Sequence, residues 1–176
     1  MTSQKKSLIL LVLGFIGAIP LGCFIWNESF DFDRVPFLSP IEYTGGFPLR
    51  NDWRGEGGFG AKRSGNRSHQ GIDMLAPVGV HVRAAKGGIA FAGLHKKGLG
   101  KYVEIKHKNG IVTIYSHLSE IYILPIQKVR QGQIIGAVGK TGNARYNGIE
   151  PHLHFEIRHK GVAVDPKKYL LAGEIR

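Results

Sequence analysis

The segment Pro151-His152-Leu153-His154-Phe155-Glu156-Ile157 alternates strictly between titratable and apolar side chains. Because successive side chains of a β-strand point to opposite faces, this pattern predicts a strand with one buried face. The apolar face would carry Leu153, Phe155 and Ile157, and the polar face His152, His154 and Glu156. The two histidines would then point the same way, roughly 7 Å apart along the backbone, which is close enough to serve one site.

A second segment, His69-Gln70-Gly71-Ile72-Asp73, carries two more groups that commonly bind metals. A straight strand would hold His69 and Asp73 about 13 Å apart. Gly71 permits a bend, so we expect an irregular segment that turns both side chains toward one ion. Three of the histidine and carboxylate groups in the two segments could hold zinc and leave one position open, which is typical of a catalytic zinc site. Each segment alone is a weak signal, and the combination carries the prediction.

Five further stretches accompany these two segments, which extend over residues 69–77 and 151–157. They comprise residues 51–53, 58–61, 115–119, 132–139 and 164–166. Together these stretches resemble the lysostaphin/LytM-type zinc metallopeptidases, peptidase family M23, over about residues 40 to 172. The resemblance implies a mainly β fold, a compact antiparallel β-sheet domain with the active site in a groove across it.

The resemblance also implies residue roles and an activity. His69, Asp73 and His154 would bind one zinc ion, and His117 and His152 would stand beside it as catalytic groups. The implied activity is a zinc-dependent endopeptidase that hydrolyses peptide bonds of bacterial peptidoglycan, in the stem peptide or the cross-link, outside the cytoplasm. Two alternatives stay open. One is a peptidoglycan-binding or hydrolase-activating module without turnover of its own, and the other is a peptidase acting on proteins. The bond cleaved, the oligomeric state and any regulatory partner also stay open.

Short apolar runs punctuated by 25 glycines predict a β-rich body. The predicted strands cover residues 80–85, 88–92, 101–107, 111–117, 133–138 and 152–158. Asn109-Gly110 indicates a type I′ hairpin between two of them, and residues 167–172 suggest a short terminal helix. His107 lies on an apolar strand face beside this turn, which favours a hydrogen-bonded structural histidine over a ligand.

Two irregular stretches are candidate walls of the groove. Residues 143–150 lead straight into His152, and residues 50–60 are rich in glycine. In the first stretch the candidate substrate contacts are Arg145, Tyr146, Asn147 and Glu150. An ordinary surface loop would explain that stretch equally well.

The N-terminus predicts a membrane segment over residues 1–27. Lys5 and Lys6 precede 21 uncharged residues, and a bilayer span needs about 20. The positive-inside rule then places the rest of the chain outside the cytoplasm, with residues 28–39 as a tether and residues 40–176 as the zinc peptidase domain. We expect anchoring in the cytoplasmic membrane, with the domain facing the periplasm or the cell exterior. Cleavage with secretion, or lipidation at Cys23, are the alternatives.

Charge and cysteine usage exclude several classes of function. Without Lys5 and Lys6 the chain keeps 22 basic and 13 acidic residues, a net charge of +9 that favours anionic surfaces in general. Export and the lack of a nucleic-acid-binding motif argue against a nucleic-acid partner. The single cysteine lies in the membrane segment, so the domain has no thiol nucleophile and no disulfide. A helical His-Glu-x-x-His zinc site is also absent from the sequence.

Overall fold

The computed structural model describes residues 36–170, and regular structure in this part of the chain is almost entirely β. Within these residues there are short 3₁₀ helices and no α-helix, which confirms the predicted mainly β, antiparallel fold. The strands are β1 (Asn51–Asp52), β2 (Gly55–Glu56), β3 (Lys62–Arg63), β4 (Arg67–Ser68), β5 (Ile72–Leu75), β6 (His81–Arg83), β7 (Gly88–His95), β8 (Gly100–Lys106), β9 (Ile111–Leu118), β10 (Glu120–Ile121), β11 (Ile126–Val129), β12 (Ile134–Ala137), β13 (His152–His159) and β14 (Val162–Val164).

One antiparallel sheet carries the architecture. Its strands follow the order β11-β7-β8-β9-β13, and the outer edge of β13 is shared by β5 along one half and β14 along the other. A smaller sheet, in the order β10-β12-β6, and the two hairpins β1–β2 and β3–β4 complete the β structure of residues 36–170. Strand β13 therefore has neighbours on both sides over most of its length, which fixes its register.

The alternation predicted for β13 is confirmed, but the prediction of one buried face is wrong, because the polar face with His152, His154 and Glu156 is buried as well. Leu153, Phe155 and Ile157 are at most 2% exposed and enter the hydrophobic core. Residues of β5, β6, β8, β9 and β12 pack around them, including Ile72, Met74, Val82, Val103, Ile105, Tyr115 and Ile135. Full burial of each large apolar side chain contributes about 1.5–3 kcal/mol, so this face anchors the strand and holds the opposite face in place.

The turn predictions have mixed outcomes. The hairpin between β8 and β9 forms, and Asn109 and Gly110 adopt φ values of 59° and 71°, the left-handed region that a type I′ turn requires. The helix predicted over 167–172 is wrong in its described part. Only a 3₁₀ turn, Pro166–Lys168, forms there, capped by the Asp165 carboxylate, which accepts from the N–H of Lys167 at 3.0 Å.

The first described residues pack onto the domain. Phe37 is buried in the core and pairs with Leu170 in an isolated parallel bridge, and the N–H of Leu38 donates to the carbonyl of Ala85 at 2.9 Å. Phe37 and Leu38 fall within the predicted tether of residues 28–39. The predicted membrane segment, residues 1–27, lies outside the described residues. Between residues 36 and 170 there is no helix with the length and hydrophobicity to cross a bilayer.

Candidate active site

Strand register brings the three predicted metal ligands together. His154 of β13 lies directly opposite Asp73 of β5, so their side chains are neighbours on one face. His154 Nδ1 is 2.8 Å from Asp73 Oδ1 and 3.0 Å from His69 Nε2, and His69 Nε2 is 3.1 Å from the same carboxylate oxygen. Three ligand atoms from three buried side chains thus converge on one point.

The bend expected at Gly71 is present, and a second requirement accompanies it. A Cβ atom at Gly71 would lie 2.3 Å from the carbonyl oxygen of Phe155. Only glycine therefore lets this segment approach β13 closely enough for His69 to reach His154.

The geometry and chemistry of these donors fit a zinc ion. Each histidine is oriented through its other ring nitrogen: His69 Nδ1 lies 2.8 Å from the carbonyl of Gly58, and His154 Nε2 lies 2.9 Å from Glu156 Oε1. Such outer partners fix the ring orientation and the tautomer of metal-binding histidines. Tetrahedral zinc with bonds of about 2.0–2.1 Å separates its ligand atoms by about 3.3 Å, close to the spacings observed here. One aspartate and two histidines leave a fourth position open.

Arg50, which the sequence did not single out, holds the carboxylate of Asp73. Arg50 donates to Asp73 Oδ2 through Nε at 3.1 Å and Nη2 at 2.8 Å, and Arg63 adds a longer contact of 3.3 Å. Oδ2 is therefore occupied and Oδ1 faces the histidines. Backbone hydrogen bonds between Arg50, Gly57 and Asp73 lock this arrangement. No local pattern marks Arg50, because the contact joins residues 23 positions apart.

Glu156 is the second missed participant, although its place on the polar face of β13 was predicted. It is buried, and its carboxylate joins His154 to Arg158. Burial alone would lower the pKa of His154, but hydrogen bonds to Asp73 and Glu156 outweigh burial and raise that pKa to about 9. His154 Nδ1 faces a carboxylate oxygen and an imidazole nitrogen at once, so either a proton or a metal ion can occupy that junction.

His152 lies on the same face as His154, as predicted. Its Nδ1 is 2.7 Å from the carbonyl oxygen of Glu150, so Nδ1 carries the proton and Nε2 bears the lone pair. The Nε2 atom lies 3.9 Å from Asp73 Oδ1. His152 therefore borders the ligand cluster without belonging to it.

His117 reaches the site through a backbone irregularity. Regular alternation along β9 puts Ser116 opposite His154 and would point His117 into the core. A register shift between β8 and β9 at this point marks a β-bulge, and His117 adopts φ 64°. The bulge turns the ring toward His152 and His154, with ring centroids 5.0 and 5.8 Å away. Left-handed backbone in a non-glycine residue stores strain, and such strain concentrates at functional sites.

Both flanking histidines are held as neutral imidazoles. His117 Nδ1 lies 2.9 Å from the carbonyl of Thr141, which leaves Nε2 as its lone-pair atom. Burial, reinforced by the neighbouring His154 and His152, lowers the pKa of His117 to about 3. Burial also lowers the pKa of His152, against the opposing pull of Asp73. A neutral imidazole with a free Nε2 can accept a proton.

The site opens into a groove of about 900 Å³. Both predicted walls border it, the stretch 50–60 through Trp53 and Arg54 and the loop 143–150 through Tyr146 and Ile149. Of the four candidate contact residues in that loop, all within the described part, only Tyr146 lines the groove. Arg145 instead points toward the carbonyl of Lys96, at 3.4 Å.

The remaining histidines lie outside the site. His81, His95 and His159 are exposed, and the last two end strands β7 and β13. His107 is internal and hydrogen-bonded through both ring nitrogens, to the carbonyl of Gly87 and the hydroxyl of Thr113, each at 2.8 Å.

The sequence model of peptidase family M23 matches residues 67–166, which include all five predicted site residues. The chain belongs to peptidase family M23. Its relatives include the DD-carboxypeptidase/endopeptidase Mpg of Neisseria meningitidis serogroup B, 48% identical over 101 residues, which are 57% of this chain and 22% of Mpg. Another is the murein hydrolase activator NlpD of Salmonella dublin, 36% identical over 113 residues, which are 64% of this chain and 28% of NlpD.

Among solved structures, the chain resembles the catalytic domain of the prophage-encoded M23 protein EnpA from Enterococcus faecalis. The TM-score is 0.57 at 31% identity, over 74% of this chain and 97% of that domain. The curated relatives are much longer proteins, and the chain spans only 19% to 39% of the length of Mpg, NlpD and several others. The likeness therefore concerns the M23 domain that they share.

Proposed function

We propose that this M23 protein is a zinc-dependent endopeptidase that hydrolyses peptide bonds of bacterial peptidoglycan, in the stem peptide or the cross-link. The observation that carries the proposal is the convergence of His69, Asp73 and His154 within 4.8 Å of one another, with two neutral histidines beside them. A module that only binds its partner has no need for this complete set.

Zinc held by His69, Asp73 and His154 would supply a Lewis acid that polarises a carbonyl oxygen and acidifies water. His117 and His152 present Nε2 lone pairs on one side of the ligand cluster, so either can accept the proton that water loses as it attacks the peptide carbonyl. Once protonated, the same ring can donate to the developing oxyanion or to the leaving amine. The two residues share these roles in the proposal, since both have the same tautomer.

Burial of the site supports the mechanism. The five side chains are all less than a tenth exposed, so little water competes for hydrogen bonds at the reacting atoms. The carbonyls of Thr141 and Glu150 hold the two flanking rings, so proton transfer needs no rotation of the imidazoles.

The substrate class and location rest on the relatives and on the sequence. Mpg is named as a DD-carboxypeptidase/endopeptidase, and NlpD as an activator of murein hydrolases. Both names support peptidoglycan as the substrate. We propose a position in the cell envelope, with residues 1–27 as the membrane anchor and the domain facing peptidoglycan. Secretion after cleavage, or lipidation at Cys23, would also place the domain outside the cytoplasm.

The second candidate function is activation of another hydrolase, favoured by the 36% identity to NlpD. An activator would need its surface but no turnover at the histidines. The two functions therefore differ in their response to loss of one flanking histidine.

The test is digestion of purified peptidoglycan by the full-length chain, purified with zinc in a mild detergent, with fragments identified by mass spectrometry. We expect new peptide ends that a chelator abolishes and added zinc restores. His117→Ala should lose turnover by about 10²–10⁴-fold and keep its zinc, because its ring lies beside the ligands.

The matched control is His81→Ala, which removes an exposed histidine and should digest like the wild type. Full turnover in His117→Ala would remove His117 from the mechanism. Intact peptidoglycan despite stoichiometric zinc, together with stimulation of a second hydrolase, would establish the activator instead.

A further inference from the structure

The groove beside the metal site has an uneven charge. Its lining holds four arginines, Arg50, Arg54, Arg63 and Arg67, and two carboxylates, Asp73 and Glu156. Both carboxylates are already engaged by arginine and histidine side chains at the floor. The charge that the groove offers to a substrate is therefore positive.

The four arginines differ in what they contact. Arg50 is buried and forms ion pairs with Asp52 and Asp73. Arg63 forms an ion pair with Asp73 and donates hydrogen bonds to backbone carbonyls. Arg54 and Arg67 form no ion pair with a carboxylate among the described residues. Arg67 donates only Nε, to the carbonyl of Ser64 at 3.1 Å, so its Nη groups keep their donors.

Arg54 is held by two aromatic rings, one from each of the two wall segments, residues 50–60 and 143–150. Its Cζ atom lies 4.2 Å from the ring centroid of Trp53 and 5.1 Å from that of Tyr146. Stacking on ring faces restrains a guanidinium and leaves its in-plane N–H donors available. The side chain is therefore pre-ordered to receive a planar anion.

The two walls are also packed together at this point. A Cβ atom on Gly148 would lie 2.6 Å from Trp53 Nε1, so the loop 143–150 closes directly against the indole. Gly148 adopts φ 76°, which glycine accommodates without strain. The position of Arg54 is thus set by two segments that are far apart in sequence.

We infer that Arg54 and Arg67 form a carboxylate-binding subsite that selects peptides carrying a free carboxylate near the cleaved bond. The inference rests on the proposed function and adds a substrate requirement to it. A guanidinium fork matches a carboxylate in two parallel hydrogen bonds, whereas an amide offers one acceptor and no charge. The subsite therefore distinguishes free carboxylates from their amides.

The probes are a muropeptide dimer with free carboxylates and the same dimer after chemical conversion of its carboxylates to amides. Binding is followed through the fluorescence of Trp53, in full-length chain carrying Trp26→Phe so that Trp53 is the single tryptophan. Hydrolysis of both dimers is followed in parallel by chromatography.

Loss of one charged hydrogen-bonding partner corresponds to about tenfold in affinity or more. We expect the wild type to bind the free dimer at least tenfold more tightly than the amidated one. Arg54→Gln and Arg67→Gln should each weaken binding of the free dimer about tenfold and change the amidated dimer less than twofold. Arg130→Gln, which removes an exposed charge outside the groove lining, is the control and should change neither.

Equal loss for both dimers in Arg54→Gln would mean that the arginine only joins the two walls, and would overturn the subsite. Equal binding of both dimers by the wild type would overturn it as well. If neither dimer is hydrolysed while the free dimer still binds preferentially, the subsite stands and the proposed endopeptidase activity fails.

Discussion

Two groups of internal histidines occupy opposite faces of the same sheet. On one face, His69 and His154 direct one ring nitrogen each at a shared point, and Asp73 faces the same point. On the other face, His107 contacts Thr113, whose hydroxyl shares a 3.0 Å hydrogen bond with that of Tyr115. In the first group, two imidazole nitrogens and a carboxylate oxygen meet at one point, whereas each ring nitrogen of His107 has a separate protein partner.

This difference separates a candidate ligand from a structural histidine. His107 is half-buried and the site histidines are buried, yet desolvation lowers the pKa of His107, His117 and His152 alike. The candidate metal site is distinguished by the convergence of three possible ligand atoms on one point, which can hold either a proton or a metal ion. Each prediction below removes one element of that contrast.

The largest effect is expected for Asp73→Ala. It removes a proposed ligand and also one of the two carboxylates that Arg50 and His154 each contact. Breaking a buried ion pair from one side costs about 3–5 kcal/mol, and zinc binding should become undetectable. Urea unfolding in the presence of chelator and zinc analysis by mass spectrometry measure the two effects separately.

A matched control for this variant is Asp165→Ala, which removes the carboxylate that caps the 3₁₀ turn far from the site. It should cost about 0.5–2 kcal/mol and leave zinc stoichiometry at one. Retention of tightly bound zinc in Asp73→Ala would remove Asp73 from the ligand set.

The sequence predicted the floor of the site because β13 is regular. A period-two pattern is sufficient to place His152, His154 and Glu156 on one face of the strand. Gly71 predicted the bend that directs His69 toward His154. The family resemblance supplied the role of His117, but alternation along β9 would have pointed it into the core. A bulge depends on pairing with β8, which no local sequence pattern encodes.

Contacts between segments that are distant in sequence could not be predicted from local sequence patterns either. Arg50 meets Asp73 because Leu49 bridges to Met74, and Arg54 meets Tyr146 because the loop 143–150 closes on Trp53. The sequence placed both arginines only within a glycine-rich candidate wall of the groove. Their roles follow from tertiary packing and not from spacing.

An intermediate effect is expected for Arg50→Gln. Arg50 touches no converging ligand atom, but it holds Asp73 Oδ2 and so orients Oδ1. Loss of an outer-shell partner of this kind lowers metal affinity about 10–100-fold. Competition with a chromophoric chelator measures the zinc dissociation constant directly.

Arg63→Gln serves as the comparison for Arg50, because its contact with Asp73 is longer, at 3.3 Å, and its side chain is more exposed. We expect less than a threefold change in zinc affinity, as for a weak, partly solvated pair. Equal effects of the two substitutions would show that zinc affinity depends on positive charge near the site and not on the two-point contact of Arg50 with Asp73.

The smallest effect on zinc, and none on its stoichiometry, is expected for His107→Gln. The change removes hydrogen bonds to Gly87 and Thr113 in the core and should cost about 1–3 kcal/mol of unfolding free energy at pH 7.5. Urea unfolding of wild type and variant in chelator measures this difference. A change in zinc affinity in this variant would contradict the assignment of His107 as a structural histidine that is separate from the zinc site.

The same pair of proteins gives a pH test with a defined sign. Burial, and the nearby Lys86 cation, lower the pKa of His107 below its ordinary value of 6.5, against a smaller opposing effect of the Gly87 carbonyl. Because the folded protein then binds this proton less readily than the unfolded chain, the contribution of His107 is complete above pH 6.5 and is lost as pH falls through the lowered pKa. His117 and His152 titrate in both proteins and cancel in the comparison. The stability difference between wild type and His107→Gln should therefore shrink between pH 6.5 and pH 5, and a difference that grew on acidification would mean that His107 is charged in the folded protein.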